Sequence, residues 1–92
     1  MDQQTQFEQE KESNVLTQEP AKVLLYNDEI HTFEEVIHQI MKAIRCDSPT
    51  AEALTWEVHR NGKAVIFDGP MDECLKVSSV LEEIALHTQI EY

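Results

Sequence analysis

Glycine is nearly missing from this 92-residue chain; Gly62 and Gly69 are the only two. They cannot form a Gly-rich loop that cradles phosphate, and each stands where a turn would want one, after Asn61 and before Pro70. Positive charge is also scarce. Seven Lys and Arg face eighteen Asp and Glu, for a formal net charge of −11. That balance excludes the clustered cations that nucleic-acid phosphates demand, and it works against docking on an anionic membrane. It keeps the surface solvated and attracts cationic groups. Cysteine is limited to Cys46 and Cys74, with no C-x-x-C pair. No run approaches the roughly 18 apolar residues of a membrane span, and the N-terminus lacks the basic-then-apolar pattern of an export signal. Two reduced, partly buried thiols and a cytoplasmic location are therefore expected.

The apolar share, 41%, suffices for one small core but not for a core and a deep enclosed cavity as well. A functional site should be a shallow pocket at the surface. Residues 1–20 are rich in Gln and Glu, with few large apolar side chains, and cannot offset their ordering entropy. They are expected to be a disordered acidic tail, closed by Pro20, ahead of one domain over residues 21–92.

Within that domain, Lys22–Tyr26 reads as a strand ending at the turn residues Asn27-Asp28. Thr32 and Glu35 have capping-box spacing, and Val36, Ile37, Ile40, Met41 and Ile44 form one apolar helical stripe. Ser48-Pro49 signals a second helix with Ser48 as N-cap; Ala51, Leu54, Thr55 and Val58 share a face, and Asn61-Gly62 ends it. Lys63–Phe67 reads as a strand and Asp68-Gly69-Pro70 as a turn. Asp72–Leu86 is predicted to be a third helix with Cys74, Val77, Leu81 and Ile84 inward, and Thr88–Tyr92 a final edge strand. The order β-α-α-β-α-β implies an α+β fold, a small three-stranded antiparallel sheet packed against three helices.

Catalytic patterns are few. His31, His38, His59 and His87 show no H-x-x-x-H or H-E-x-x-H spacing, and neither cysteine sits in a nucleophile context. No metal or cofactor is expected, and a binding protein is expected in preference to an enzyme. Two clusters stand out. Asn27-Asp28-Glu29 read alone is turn chemistry with anions near a helix start. Residues 57–64 (EVHRNGKA) read alone are a helix C-cap, with His59 and Arg60 complementing the dipole.

Taken together, KVLLYNDEIHTFEEVI (22–37) and EVHRNGKAV (57–65) resemble the two signature stretches of the ClpS family, adaptors of the Clp protease. The family shows an apolar strand, Asn-Asp-Asp or Asn-Asp-Glu, a short turn and a helix opening on Met, Phe or Tyr. Further on it shows Val-His, a variable pair and Gly-Lys-Ala. A similar domain occurs inside some eukaryotic N-recognin ubiquitin ligases. The resemblance implies recognition of N-degrons, proteins whose first residue is Leu, Phe, Tyr or Trp, and their delivery to the N-domain of a ClpA- or ClpC-type AAA+ unfoldase. The setting would be the bacterial cytoplasm or a plastid stroma. The charge balance already argues against nucleic-acid and membrane partners, and a monomer is expected.

Carried over by position, Asn27, Asp28 and His59 would bind the substrate's α-amino group, with Glu29 beside them. The chemistry suits the task. An α-amino group titrates at about 7.7–8.0, so at neutral pH it is mostly an ammonium with three donors. An amide oxygen, a carboxylate and a neutral imidazole nitrogen can meet it from different directions. Protonating His59 would turn an acceptor into a repelling cation, so affinity should fall on acidification. Ile30, Phe33, Leu54, Thr55 and Val58 are the candidate walls of the pocket for the first side chain. Phe33 and Thr55 stand where many relatives carry Met, and the smaller Thr55 leaves the preference among large residues open. Lys76, with Asp72 or Glu73, matches the position that docks the unfoldase. A regulator that binds the unfoldase without capturing N-degrons is the alternative.

Overall fold

The computed structural model of the chain describes residues 19–92, and the expected tail lies, up to residue 18, outside them. Strand β1 (Pro20–Tyr26) begins one residue inside the stretch expected as tail. It pairs antiparallel with β2 (Lys63–Pro70) on one edge and β3 (Thr88–Glu91) on the other, giving the order β2-β1-β3. Helices α1 (Phe33–Ile44), α2 (Ser48–Asn61) and α3 (Met71–Glu82) complete the α+β architecture. The expected sheet, helix count and element order all hold.

Its central position explains why β1 is the most apolar strand. Val23, Leu24 and Leu25 are all buried, and Ala21, Val23 and Leu25 join Ile40, Ala51, Val58, Cys74, Val77 and Leu81 in the core. Along β2 the pairing skips a residue: Val23 faces Phe67 but Leu24 faces Val65. Ile66 is the extra residue of a bulge, and both it and Phe67 pack toward the core. Asp68-Gly69-Pro70, expected as a turn, instead extends β2 against Pro20–Lys22. A Pro at the end of an edge strand removes no needed ladder bond. Gly69 serves a close approach, because a Cβ there would meet the Phe67 ring at 3.1 Å.

The helix boundaries follow from specific caps. Thr32 and Glu35 form the anticipated capping box, with bonds of 3.1 and 2.8 Å. The stripe on α1 lies as expected, with Ile40 fully buried and Val36, Ile37, Met41 and Ile44 packed around it. The N-cap of α2 is Asp47 and not Ser48: the Asp47 carboxylate accepts from the Thr50 N–H at 3.0 Å, and Pro49 stays in the first turn, one position further in. Gly62 caps the other end at φ 82°, where an added Cβ would meet open space, so the requirement is conformational.

Helix α3 stops at Glu82, four residues before the expected end. Ala85 turns left-handed (φ 63°) and its N–H bonds the Glu82 carbonyl at 2.9 Å. The reversal lets Leu86 drop into the core while Thr88 enters the sheet opposite Leu25.

Candidate functional site

Antiparallel pairing of β1 with β2 sets Tyr26 opposite Lys63. The residue leaving β1 is therefore beside the one entering β2, and the Asn27 N–H donates to the Gly62 carbonyl at 2.9 Å. Gly62 is also the C-cap of α2, and His59 lies within the last turn of that helix. One backbone bond thus joins two segments more than thirty residues apart in the chain.

A pocket of about 320 Å³ opens at this junction. Asn27, Asp28, Glu29 and His59 line it, as do Phe33, Thr55 and Val58, so seven of the nine residues expected for amine and side-chain binding converge. Ile30 and Leu54 do not line it. Ile30 is 85% exposed on the outside of the turn. Leu54 packs against the core, and Thr55 and Val58 take the lining positions on α2. Tyr26, His31, Val36 and Leu86 are further lining residues.

The turn is organised by Asp28. One carboxylate oxygen accepts the N–H groups of Ile30 and His31, both at 2.9 Å, and the other meets the His31 Nδ1 at 2.7 Å. The His31 Nε2 lies 2.5 Å from the Ile84 carbonyl in the α3–β3 connection. Carboxylate and carbonyl are both acceptors, so only a ring protonated on both nitrogens satisfies both contacts. The bond to Asp28, then the Ile84 carbonyl, hold the His31 imidazole above its ordinary pKa against the opposing effect of burial. Partial burial pushes the Asp28 carboxyl up, but the His31 N–H, the His31 ring and the Ile30 N–H outweigh it and leave the carboxyl below its usual range. The pocket lining thus includes an Asp28–His31 contact that becomes an ion pair when the imidazole is protonated.

The mouth on the α2 side is aromatic. The Phe33 ring meets Trp56 edge to face at 4.7 Å and His59 at 5.2 Å, and Trp56 and His59 lie 5.9 Å apart. Thr55 is buried, and its hydroxyl donates to the Ala51 carbonyl at 2.7 Å. Its donor is therefore committed to the helix and only acceptor capacity is left for the pocket.

Away from the pocket, Asp72, Glu73 and Lys76 are exposed in the first turns of α3. Glu73 and Lys76 line one surface depression with Phe67 and Val80, and Asp72 is not part of it. Cys46 and Cys74 are free thiols, and burial pushes both up, away from thiolate. Sequence reasoning passed over His31 and Trp56. The signals were present: Asp28 and His31 have the spacing of a side-chain-capped turn, and Trp56 precedes His59 by three residues on one helix face.

Residues 17–90 match the family described as ATP-dependent Clp protease adaptor protein ClpS. The chain is 38% identical over 53 residues to the ATP-dependent Clp protease adapter protein ClpS of Thermosynechococcus vestitus, spanning 56% of this chain and 56% of that protein. It is also similar to two E3 ubiquitin-protein ligases. Identity is 34% over 58 residues with human UBR2 and 36% over 59 residues with UBR1 of Drosophila melanogaster. These matches cover 63% and 64% of this chain but only 3% of each ligase. In fold it is similar to Agrobacterium tumefaciens ClpS2, solved bound to L-phenylalaninamide. The TM-score is 0.72 at 24% identity, covering 80% of this chain and 96% of that one.

Proposed function

The chain belongs to the ClpS family of ATP-dependent Clp protease adaptors, and we propose that it holds proteins by a free N-terminal amine and a large apolar first side chain, presenting them to the AAA+ unfoldase of a Clp protease. The observation that carries this reading is the single pocket lined by both Asn27-Asp28-Glu29 and His59, with Phe33, Val36, Val58 and Leu86 among its apolar walls. The ligand of the ClpS2 structure, L-phenylalaninamide, carries the same pair of groups, an α-amine and a large apolar side chain.

The division of labour follows from the bonds already made. Three of the roughly four acceptor positions of the Asp28 carboxylate are used within its own turn. Asp28 therefore supplies one remaining lone pair, and its charge is shared with the His31 ring whenever that ring is protonated. The Asn27 amide oxygen and a neutral His59 nitrogen supply the other acceptors, and Glu29 adds field at the exposed rim. Charge-assisted bonds to an ammonium contribute about 1.5–3 kcal/mol each. An internal peptide N–H, neutral and with one donor, gains far less, so the site selects chain ends. Burying a Leu or Phe side chain adds about 1.5–3 kcal/mol, which ranks large residues above Ala or Ser.

Delivery uses other parts of the molecule. Lys76 with Glu73, which share a depression at the start of α3, is the better pair for docking the unfoldase N-domain than Lys76 with Asp72. The acidic segment expected over residues 1–20, which up to residue 18 lies outside the described residues, is assigned to delivery. The adaptor acts as a monomer in the compartment that holds the protease.

Fluorescence anisotropy with short labelled peptides tests the capture step. A free Phe N-terminus should bind, and Nα-acetylation should weaken it at least about tenfold, since it removes a charge-assisted bond. Replacing the first Phe by Ala should weaken it similarly. His59→Ala is the cleaner variant, because Asp28→Ala also dismantles the turn. Equal binding of the acetylated peptide would sink amine capture and leave the unfoldase-binding regulator as the remaining reading.

A further inference from the structure

Trp56 is the chain's sole tryptophan and leaves 45% of its surface in water, although it touches two pocket walls, Phe33 and His59. Aromatic side chains held half-exposed against a binding site are where contact energy concentrates in interfaces. Its ring centre lies 4.7 Å from that of Phe33 and 5.9 Å from that of His59. The indole therefore extends an exposed apolar surface from two lining residues, without itself lining the pocket.

A captured N-terminus must leave the pocket as extended chain. Successive side chains of an extended segment point to opposite sides, and residues one and three share a side about 6.6 Å apart. With the first side chain in the pocket, the second faces away from the protein. The third then falls about 6.6 Å from the first, a spacing comparable to the 4.7 and 5.9 Å that separate Trp56 from Phe33 and His59. We propose that Trp56 forms a second subsite that receives the side chain of the third residue of the bound N-terminus and favours an aromatic or bulky aliphatic group there. This assignment rests on the N-terminal capture proposed above and extends it from one residue to a short sequence preference.

The test uses the full chain and short free-amine peptides beginning Phe-Ser-Ser, Phe-Ser-Leu and Phe-Leu-Ser, none containing tryptophan. Calorimetry should find Phe-Ser-Leu about three- to tenfold tighter than the other two, the range expected for partial burial of a Leu side chain. Emission of Trp56 should move to shorter wavelength with Phe-Ser-Leu more than with Phe-Ser-Ser, because only the former covers the indole. In Trp56→Ser the third-residue preference should vanish while the preference for Phe over Ala at the first position persists. Equal affinities for the three peptides, or a preference that follows the second position, overturn the subsite with amine capture intact. So does equal loss of first- and third-residue preference in Trp56→Ser, since the indole would then act only by bracing Phe33. If Trp56→Ser does not fold, the emission shifts of the unaltered protein decide. If no free-amine Phe peptide outbinds its acetylated form, capture itself fails and the subsite falls with it.

Discussion

Replacing His31 by Ala should destabilise the protein by an amount that depends on pH. The side chain is only 10% exposed and bridges the Asp28 carboxylate and the Ile84 carbonyl, at 2.7 and 2.5 Å. Bonds to charged groups contribute about 1.5–3 kcal/mol when well buried; beside an open pocket about 1 kcal/mol each is reasonable, or about 2 kcal/mol together. The direction with pH follows from the two titrations. The imidazole pKa is raised in the fold, so its contribution is complete below about 6.5 and is lost as pH rises through the folded value. The Asp28 pKa is lowered, so its share is complete above about 3.9 and is lost as pH falls through its folded value. A neutral ring can donate only one of the two bonds. Wild type minus His31→Ala, from urea unfolding, should therefore be about 2 kcal/mol at pH 5 and about 1 kcal/mol at pH 9. The pH-dependent part, divided by about 1.4 kcal/mol per pH unit, returns the displacement of the imidazole titration. A difference that is flat from pH 5 to 9 would refute the protonated bridge.

Two further substitutions probe the frame around the site. Gln39 is buried on α1, and its amide donates to the Val80 carbonyl at 2.5 Å, tying α1 to α3. Gln39→Leu keeps the volume but loses that bond, so a loss of about 1 kcal/mol is expected in urea unfolding; an unchanged midpoint would mean the bond contributes nothing net. Arg45 ends α1 in the left-handed region at φ 54°, with its side chain exposed. Arg45→Gly should stabilise by about 0.5–1 kcal/mol through relief of that conformation, read as a raised thermal midpoint, and a lowered midpoint contradicts it.

The parts of the fold legible in the sequence were those fixed by neighbours. The Thr32 capping box, the Ile40 stripe, the Asn61-Gly62 helix stop and the apolar run of β1 are local signals, and each lies where it was expected. The misplaced boundaries have tertiary causes. Ser48 and Asp47 are both good N-caps, and only the bond to Thr50 separates them. The end of α3 turns on a left-handed Ala85, a residue with no turn signature, which is driven there by the burial of Leu86 and the pairing of β3. Asp68-Gly69-Pro70 carries turn composition, but its strand geometry comes from pairing with Pro20–Lys22.

The site divides in the same way. Asn27, Asp28 and His59 were singled out by their motifs, and the β1–β2 register brings those motifs to one pocket. Ile30 and Leu54 were misjudged because their neighbours in sequence, not they, face the cavity. The role of His31 rests on a carbonyl 53 residues away, which no local pattern encodes.

The turn bearing Asn27 and Asp28 leaves the strand that, among the described residues, is bonded along both of its edges. Amides in such a strand exchange with deuterium only when the whole domain opens, whereas outer strands fray. The turn is thus mounted on the strand expected to exchange slowest, so fraying at the margins of the sheet should leave its geometry undisturbed.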